Sequence, residues 1–278
     1  MNYKIVADSS ANITALESVP FASVPLHIIV GEQTFADDEA VDIPAMQEAL
    51  KAYKGKTSTA CPSPEDWITA FGDAEAVFCV TITSGLSGAY SSAAVAKQIY
   101  EDSNPGRRVY VFDSLSTGPE MALIVEKLQE LICSGAERDD IERETRLYMQ
   151  RTRLFFALAS LQNFAKNGRI NPLIAKGIGV LGLRIIGTAS EQGQLKPLDK
   201  KRGDAQAYDC MVQHMREAGY CGGRVIITHT DNPGGAEQLR QKIAAAFGSF
   251  NGYIAANRAL CSYYAEPQSV LLGFASGE

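Results

Sequence analysis

The pattern of apolar and polar positions divides the chain into two parts. In the first part, short apolar runs such as "YKIVAD" (3–8) and "AVFCVTI" (76–82) alternate with longer amphipathic stretches. This alternation is typical of βαβ units on a parallel sheet. From about residue 138 the pattern shifts to a charged amphipathic helix, a strand and a Gly-rich apolar segment. The sequence therefore predicts an α/β fold with two domains, covering 1–152 and 153–278.

The two predicted domains differ in their sheets. The N-terminal domain is expected to have a mainly parallel sheet with helices on both faces, and the C-terminal domain a mixed or antiparallel sheet. Pro62 and Pro64 exclude regular structure in the segment before them, and Ser63 followed by Pro64 predicts the start of a helix. The last segment, "YIAANRALCSYYAEPQSVLLGF" (253–274), predicts two closing strands.

Composition and charge exclude several classes of protein. The chain has 46% hydrophobic and 21% charged residues, as expected of a globular protein with a large core. Its formal charge is −6 with dispersed Lys and Arg, which argues against a nucleic-acid partner. Lys4 and Asp8 interrupt any stretch like a signal peptide, and no later stretch approaches a spanning helix. We expect a cytoplasmic protein with no integral membrane segment.

The cysteines give no sign of a metal site or of disulfides. The chain has six cysteines, with no C-x-x-C pair and no histidine at metal-binding spacing. Buried thiols are the expected state. The sequence predicts no metal and no cofactor.

Four hydroxyl-rich segments carry the candidate chemistry: "DSSAN" (8–12), "TSTACPSP" (57–64), "TSGLSG" (83–88) and "DSLSTGP" (113–119). Three of them directly follow a predicted strand, so on a parallel sheet they would lie along one edge, where ligands bind. A Gly-rich turn that leads into a helix offers free N–H groups to an anion. Thr59, Thr83 and Ser84 could add hydroxyl donors, although each segment alone is also a usual helix cap.

The same segments do not match the motifs of nucleotide-binding proteins or of serine hydrolases. "SGLSG" lacks the Lys of a P-loop and the spacing of a dinucleotide fingerprint, so a nucleotide is not expected. "TSGLSG" is not the G-x-S-x-G elbow of a serine hydrolase. His27, His214 and His229 also lack a context that would make one of them the base for Ser84. His229 is expected to bond to nearby backbone at a strand end.

Together these segments resemble the DegV family of bacterial fatty-acid-binding proteins, which act as acyl-carrying subunits for a fatty-acid kinase. The matching segments are "DSSANI", "TSTACPSPEDW", "ITSGLSGAYSSA", "DSLSTGPEMA" and "KNGRI", in the family's order and spacing through nearly the whole chain. The resemblance implies a non-catalytic protein that clamps a long-chain fatty acid between two domains. The acyl tail would lie in an apolar tunnel, with the carboxylate held by hydroxyls at strand ends.

The resemblance also assigns individual residues. Ser84 matches the carboxylate-binding serine, with Thr83 and Gly85 beside it. Thr59 matches the binding threonine, and Ser58 could substitute for it if the register slips. Arg169 matches an arginine that serves the partner kinase and phosphate transfer.

One motif departs from the family pattern. The family's H-x-G-P-G reads "YAEPQ" here, so Tyr264 replaces the histidine, and Glu266 and Gln268 replace the glycines. A phenol can donate a hydrogen bond to a carboxylate, but it cannot carry the positive charge that imidazole offers near neutral pH. Lipid binding is therefore expected more firmly than kinase partnership.

The Gly-rich segment 171–187 would suit the tunnel wall, because Gly177, Gly179 and Gly182 leave room among branched aliphatic residues. An ordinary core helix and strand is the alternative for this segment. For the whole chain the alternatives are an α/β enzyme or phosphocarrier that acts on a small anionic metabolite, and a regulatory interaction domain without a ligand. An apolar cavity that is longer than it is wide would favour the lipid carrier.

Overall fold

The structure is a computed structural model that describes residues 2–171 and 182–276. The strands are β1 (Tyr3–Asp8), β2 (Phe21–Val24), β3 (His27–Val30), β4 (Gln33–Ala36), β5 (Ser58–Ala60), β6 (Ala76–Thr81), β7 (Arg108–Asp113), β8 (Thr152–Leu158), β9 (Leu183–Ala189), β10 (Leu195–Arg202), β11 (Val225–Thr230), β12 (Gly252–Ala256) and β13 (Ser269–Ala275). The helices are α1 (Ile43–Ala52), α2 (Pro64–Phe71), α3 (Ala89–Ser103), α4 (Pro119–Cys133), α5 (Arg138–Met149), α6 (Gln162–Lys166), α7 (Asp204–Glu217), α8 (Pro233–Phe247) and α9 (Ala259–Ala265).

The N-terminal part is built on a parallel sheet in the order β2-β1-β6-β7. Every residue of β6 is buried, as expected for a strand that is covered on both faces. Ser63 caps α2 with a reciprocal capping box, and Pro64 occupies its first turn. The parallel sheet and this helix start confirm the sequence predictions. The carboxyl ends of β6 and β7 lie side by side, so the loops that follow them share one edge.

A second sheet is antiparallel and has the order β4-β3-β5. Its strand β5 falls in the segment that the prolines were expected to keep irregular, so that prediction was wrong. The reason is that β5 ends at Ala60, before Pro62, and its backbone pairs with β3 through Ser58 and Thr59. This pairing fixes the position of Thr59.

The C-terminal part is a mixed sheet in the order β10-β9-β8-β13-β11-β12, in which β11 and β12 run parallel and the other neighbours antiparallel. This confirms the predicted mixed sheet. The closing segment contains helix α9 between its two strands, a helix that the pattern did not predict. The Asp37 carboxylate, distant in sequence, accepts the N–H groups of Ala259 and Leu260 at 3.1 Å each. The local sequence around α9 cannot predict an N-terminal cap that comes from a residue as distant as Asp37.

Helix α4 joins the two parts. It contacts β1 and β6 of the parallel sheet and also β8, β11 and β13 of the mixed sheet, and its residues 119–125 are all buried. Gly273 permits this approach, because a Cβ there would overlap the backbone of Pro119. Helix α9 in turn adds Leu260 and Tyr263 to the N-terminal core. The division at residue 152 stays a prediction, since the two parts share this packing.

Strand β8 has two different apolar faces because successive side chains point to opposite sides of a sheet. Phe155 and Ala157 pack in the core under α7 and α8. Leu154, Phe156 and Leu158 belong to a separate cluster on the other face. That second face lies toward the strand ends of the N-terminal sheet, and it forms one wall of the cavity described below.

The cysteines are free and only partly buried. Cys79 and Cys261 are buried and Cys210 is half-buried, but Cys61, Cys133 and Cys221 are exposed. The expectation of buried thiols was therefore wrong for three of them. Cys133, for example, is the last residue of α4, beyond the buried part of that helix. Within 2–171 and 182–276, none of the helices has both the length and the apolar character needed to cross a membrane.

Candidate functional site

A cavity of about 300 Å³ lies between the strand ends of the N-terminal part and the inner face of the mixed sheet. This volume is at the lower end of the range for small-molecule sites. The side facing the N-terminal part is lined by Leu26, Thr59, Ala60, Cys61, Ile82, Thr83, Leu86, Ser87, Gly88, Ser116 and Thr117. The other side is lined by Leu154, Phe156, Leu158, Phe164, Arg169, Thr188, Ala189, Gly193, Gln194, Leu195, Leu260, Cys261, Tyr264, Ala265 and Leu271.

A pair of hydroxyls from the two parts of the chain meets at the cavity. Thr59 Oγ1 and Tyr264 OH lie 2.7 Å apart and share one hydrogen bond. Only one of the two protons is used in that bond, so the other hydroxyl can donate to a ligand. Burial raises the pKa of the Tyr264 phenol, while the bond to Thr59 and the charge of Arg169 oppose the shift. Tyr264 is therefore a neutral donor at physiological pH.

The loop between β6 and α3 contributes Thr83 and Ser87. Thr83 Oγ1 accepts from the Gly85 N–H at 3.0 Å, and Ser87 Oγ accepts from the Ala89 N–H at 3.2 Å, so both hydroxyl protons remain free to be donated elsewhere. Gly88 precedes α3 without a side-chain cap, and it also lines the cavity. The positive end of the α3 dipole therefore lies near these hydroxyls, an arrangement that favours an anion.

Arg169 brings a positive charge to the same region. Its Nε donates to the Leu86 carbonyl at 3.2 Å and its Nη1 to the Asn167 carbonyl at 2.5 Å. Both acceptors are neutral, so these bonds orient the guanidinium without cancelling its charge. The sequence prediction relied on neutral donors for a carboxylate, and the structure adds a cation beside them.

The remainder of the cavity is mainly apolar. Leu154, Phe156 and Leu158 of β8 line it together with Leu271 of β13 and Phe164 of α6. Phe156 fits because its neighbour on β9 is Gly187, where a Cβ would overlap the Phe156 ring. A ligand with one polar end and a hydrocarbon remainder matches this division of the walls.

The turn between β9 and β10 closes the cavity over the Thr83 loop. A Cβ on Gly193 would overlap Thr83 Oγ1, and a Cβ on Gly85 would overlap the Gln192 carbonyl oxygen. Gly193 also has φ +68°, a conformation that favours glycine. Both glycines are therefore needed for the two parts to touch at this point.

The residues predicted from the sequence do not all reach the cavity. Thr59, Thr83, Tyr264 and Arg169 line it. Ser84 does not: it is exposed, it is not among the lining residues, and its N–H donates to the Asp113 carboxylate at 3.1 Å.

Two more residues to which the sequence assigns a binding role, Ser58 and Gly85, are also not among the lining residues. Ser58 precedes Thr59 in β5 and is not among the lining residues, as expected from the alternation of side chains along a strand. Gly85 serves the contact with the β9–β10 turn rather than the lining.

Some lining residues were missed by the sequence prediction. Ser87 lies in the predicted loop, and Ser116 and Thr117 belong to the fourth hydroxyl-rich segment, but the sequence prediction gives none of the three a role in binding. Their position directly after predicted strands is the signal that could have found them. Of the glycines proposed for the tunnel wall, Gly177 and Gly179 lie outside the described residues, and Gly182 does not line the cavity.

The first hydroxyl-rich segment, 8–12, supports the site from behind. Ser9 and Ser10 are buried, and the Asp8 carboxylate accepts the Ile82 N–H at 2.6 Å, which ties β1 to the start of the Thr83 loop. Burial is the main cause that raises the pKa of Asp8 to about 6. The Cys261 thiol donates to the Ser10 carbonyl at 3.4 Å, so this segment also anchors α9.

The segment that departs from the family motif has a glycine-like backbone at two positions. Glu266 has φ 60° and ψ 163°, a region adopted almost only by glycine, and Gln268 has φ 68°. These are the two positions at which the family pattern has glycine. The Glu266 carboxylate accepts the Asn163 N–H at 3.1 Å. The side chain therefore makes a hydrogen bond that offsets part of the cost of the strained backbone.

No catalytic base accompanies the hydroxyls in the part of the chain that is described. His229 Nδ1 accepts the Asn232 N–H at 3.4 Å, as expected of a strand-end residue, and burial lowers its pKa. His214 contacts Asp199 and Glu217, far from Ser84 in the fold. Among the residues that the structure describes, the cavity lining contains neither a histidine nor a carboxylate. The hydroxyls and the Arg169 guanidinium that do line it are groups that can bind an anion.

Comparison with known proteins shows that this chain is similar in sequence to members of one family. The family model described as "Uncharacterised protein, DegV family" matches residues 2–275. A DegV domain-containing protein of Streptococcus pneumoniae is 39% identical over 278 residues, covering 99% of both chains. A DegV domain-containing protein of Streptococcus gordonii is 38% identical over 281 residues and covers 100% of both.

Two solved structures are similar over the whole chain. One is the Streptococcus pneumoniae fatty acid kinase (Fak) B3 protein loaded with linoleic acid, with TM-score 0.97, 38% identity and 100% coverage of both chains. The other is a DegV family protein from Eubacterium eligens loaded with heptadecanoic acid, with TM-score 0.97, 40% identity and coverage of 99% of this chain and 100% of that one.

Proposed function

Because the chain belongs to the DegV family, and because its cavity has a polar end and an apolar remainder, we propose that it binds a long-chain fatty acid between its two parts. One observation carries the proposal: the same cavity has hydroxyl-bearing strand ends on one side and an apolar sheet face on the other. Fatty acids bound to proteins that are 38% and 40% identical support it. The proposal is for a carrier, without catalysis of its own, and it assumes the cytoplasmic location that the sequence predicts.

The carboxylate of the fatty acid would lie at the polar end. Thr83, Ser87 and the Thr59–Tyr264 pair supply hydroxyl donors there, and Arg169 supplies a positive charge. An unpaired buried carboxylate costs far more than one hydrogen bond returns, so several donors are required. In this proposal Ser84 has no contact with the carboxylate, because its side chain is exposed.

The acyl tail would supply most of the affinity. Each buried methylene contributes about 0.8 kcal/mol, so fourteen methylenes give a gross contribution of about 11 kcal/mol before the cost of association. Leu154, Phe156 and Leu271 offer the apolar surface for this burial. The same lining disfavours the alternative ligand, a small anionic metabolite, which has no hydrocarbon to bury.

A fatty-acid kinase is the partner that the family resemblance implies, with Arg169 as the residue that serves it. The position of Arg169 beside the proposed carboxylate site supports this extension. Tyr264 opposes it, because a neutral phenol cannot carry the charge of the histidine it replaces. The proposal therefore centres on binding, and phosphorylation of the bound acid is a separate test with wild type and Tyr264→His.

The experiment uses delipidated protein and three ligands: palmitate, 1-hexadecanol and hexanoate. Hexanoate lacks ten of the methylenes, so we expect its affinity to be lower by at least about 1,000-fold. Hexadecanol lacks the charge that the donors recognise, so we expect it to bind about ten-fold more weakly or worse. Equal binding of hexanoate and palmitate would point to the small-metabolite alternative, and no binding of palmitate would refute the proposal.

A further inference from the structure

A second group of polar side chains lies on the mixed sheet, on the face opposite the cavity. Asp199 of β10 meets Cys210 and His214 of α7. Cys210 Sγ lies 3.3 Å from Asp199 Oδ2, and His214 Nε2 lies 3.3 Å from the same oxygen. One sulfur, one nitrogen and one oxygen atom all fall within 4.8 Å of one another. These are three of the atom types that bind transition metals.

The secondary structure explains why the three meet. Cys210 and His214 are four residues apart in α7, so they lie on one face of the helix, one turn from each other. His214 packs its ring against Phe155, with 5.8 Å between ring centroids, which places this face against the sheet. The sequence prediction of no metal site missed this C-x-x-x-H spacing, because it rested on C-x-x-C pairs and on the spacing of the histidines.

A β-bulge turns Asp199 toward this helix. The pairing of β10 with β9 shifts register between Pro197 and Asp199, so Leu198 is the extra residue and Asp199 lies opposite Ile186. Ile186 belongs to the core cluster under α7. With regular pairing, Leu198 would hold that position and Asp199 would point to the cavity face. The bulge instead leaves Leu198 exposed and presents a carboxylate to Cys210 and His214.

Two of the three separations between the ligand atoms fit a tetrahedral zinc site. With ordinary zinc–ligand bond lengths, tetrahedral angles separate a nitrogen from an oxygen ligand by about 3.3 Å and a sulfur from an oxygen ligand by about 3.5 Å. The observed separations are 3.3 Å in both cases. Three protein ligands would leave a fourth position for water, and Asp199, with its side chain 37% exposed, keeps that position accessible.

The neighbours of the three residues suit the same role. Glu217 Oε2 lies 3.0 Å from His214 Nδ1, so the carboxylate can hold the proton on Nδ1 and leave Nε2 free to bind a metal. Lys201 donates to Asp199 Oδ1 at 3.1 Å, which leaves Oδ2 for the site.

We propose that Asp199, Cys210 and His214 form a binding site for Zn²⁺ that fastens edge strand β10 to helix α7. The strand continues from Leu195 at the cavity, so the site would stiffen the hairpin that closes the cavity. The site is separate from the fatty-acid cavity, and its existence does not depend on the proposed function.

The test uses Co²⁺ as a spectroscopic substitute for Zn²⁺. Chelator-treated full-length protein is titrated with Co²⁺, and we expect a thiolate-to-cobalt absorption band in the near ultraviolet that disappears when Zn²⁺ displaces the cobalt. Cys210→Ser should abolish the band, and His214→Gln should weaken Co²⁺ binding at least about ten-fold. Cys221→Ser removes an exposed cysteine outside the cluster and should leave the band unchanged.

Two results would overturn the proposal. One is the absence of a thiolate band at millimolar Co²⁺, and the other is a band that survives in Cys210→Ser but is lost in Cys221→Ser. Thermal unfolding gives a second readout, because a ligand that binds the folded state raises the melting temperature. Zn²⁺ should raise it for wild type and Cys221→Ser but not for Cys210→Ser, and an equal rise in all three would also contradict the site.

Discussion

The two walls of the cavity differ in how the chain builds them. The polar wall collects side chains from separate segments, namely Thr59 of β5, Thr83 and Ser87 of the loop after β6, and Tyr264 of α9, and each of them makes a hydrogen bond within the protein. The apolar wall comes chiefly from alternate residues of β8 with one neighbour on β13. In the proposed complex, single hydroxyls of the first wall would decide which head group is accepted. The many small contacts of the second wall would add up, so the tail would contribute affinity and the polar wall would contribute orientation.

The largest expected effect comes from breaking the contact between the walls. Gly193→Ala places a methyl group against Thr83 Oγ1 at a positive φ. We expect the free energy of unfolding to fall by about 2–4 kcal/mol and palmitate affinity to fall at least about ten-fold. Urea unfolding and palmitate titration measure the two effects.

Gly219→Ala is the matched control for this change. Gly219 has φ +79°, and no atom lies within 4 Å of the place that its new methyl group would take, so only the backbone cost of about 1–2 kcal/mol should remain. If both variants lose the same stability and neither changes palmitate binding, the β9–β10 turn does not close the cavity.

A smaller effect is expected from one hydroxyl of the polar wall. Thr59→Val removes the partner of Tyr264 at the cavity, and we expect palmitate affinity to fall about ten-fold, equivalent to about 1.4 kcal/mol. Thr57→Val is the control, because Thr57 Oγ1 makes the same type of bond to Tyr263 OH at 2.6 Å without lining the cavity. Equal losses of palmitate affinity in the two variants would mean that Thr59 acts only through the fold.

The head-group site should respond to pH only after a substitution. Wild-type palmitate affinity should be flat between about pH 6 and 8, because the Tyr264 pKa is raised above its ordinary value and the phenol stays neutral. Tyr264→His introduces a group that is cationic at low pH and attracts the carboxylate. Its affinity should therefore fall about three- to ten-fold as pH rises through about 6.5. A flat profile for Tyr264→His would place the carboxylate away from residue 264.

The smallest expected effect concerns the backbone after α9. Gln268→Gly should raise the free energy of unfolding by about 0.5 kcal/mol, since relief of the positive φ slightly exceeds the added entropy of the unfolded chain. Gln98→Gly in the middle of α3 has no such strain to relieve, and it should lower the free energy by about 1 kcal/mol. A loss of stability in Gln268→Gly would show that its side chain contributes more than the strain costs.

The sequence predicted the polar wall better than the apolar one, for physical reasons. Hydroxyl-rich loops after buried strands are recognisable locally, and the parallel sheet brings them to one edge. The direction in which each side chain points depends on the turn, which is why the sequence predicts a binding role for Ser84 although the structure exposes this residue. The alternation in β8 predicts two faces but not what each face meets. Helix α9 and its cap by Asp37 depend on contacts between segments distant in sequence.

The central claim is that a fatty acid lies with its carboxylate at the polar wall and its tail along the apolar one. A crystal structure of the delipidated protein soaked with a fatty acid that carries bromine on its last carbon tests this directly. The account predicts anomalous density for bromine among Leu154, Phe156 and Leu271, and a carboxylate within hydrogen-bonding distance of Thr59, Thr83 or Tyr264. Bromine at Thr59 and Thr83, or an empty cavity at saturating ligand, would contradict it.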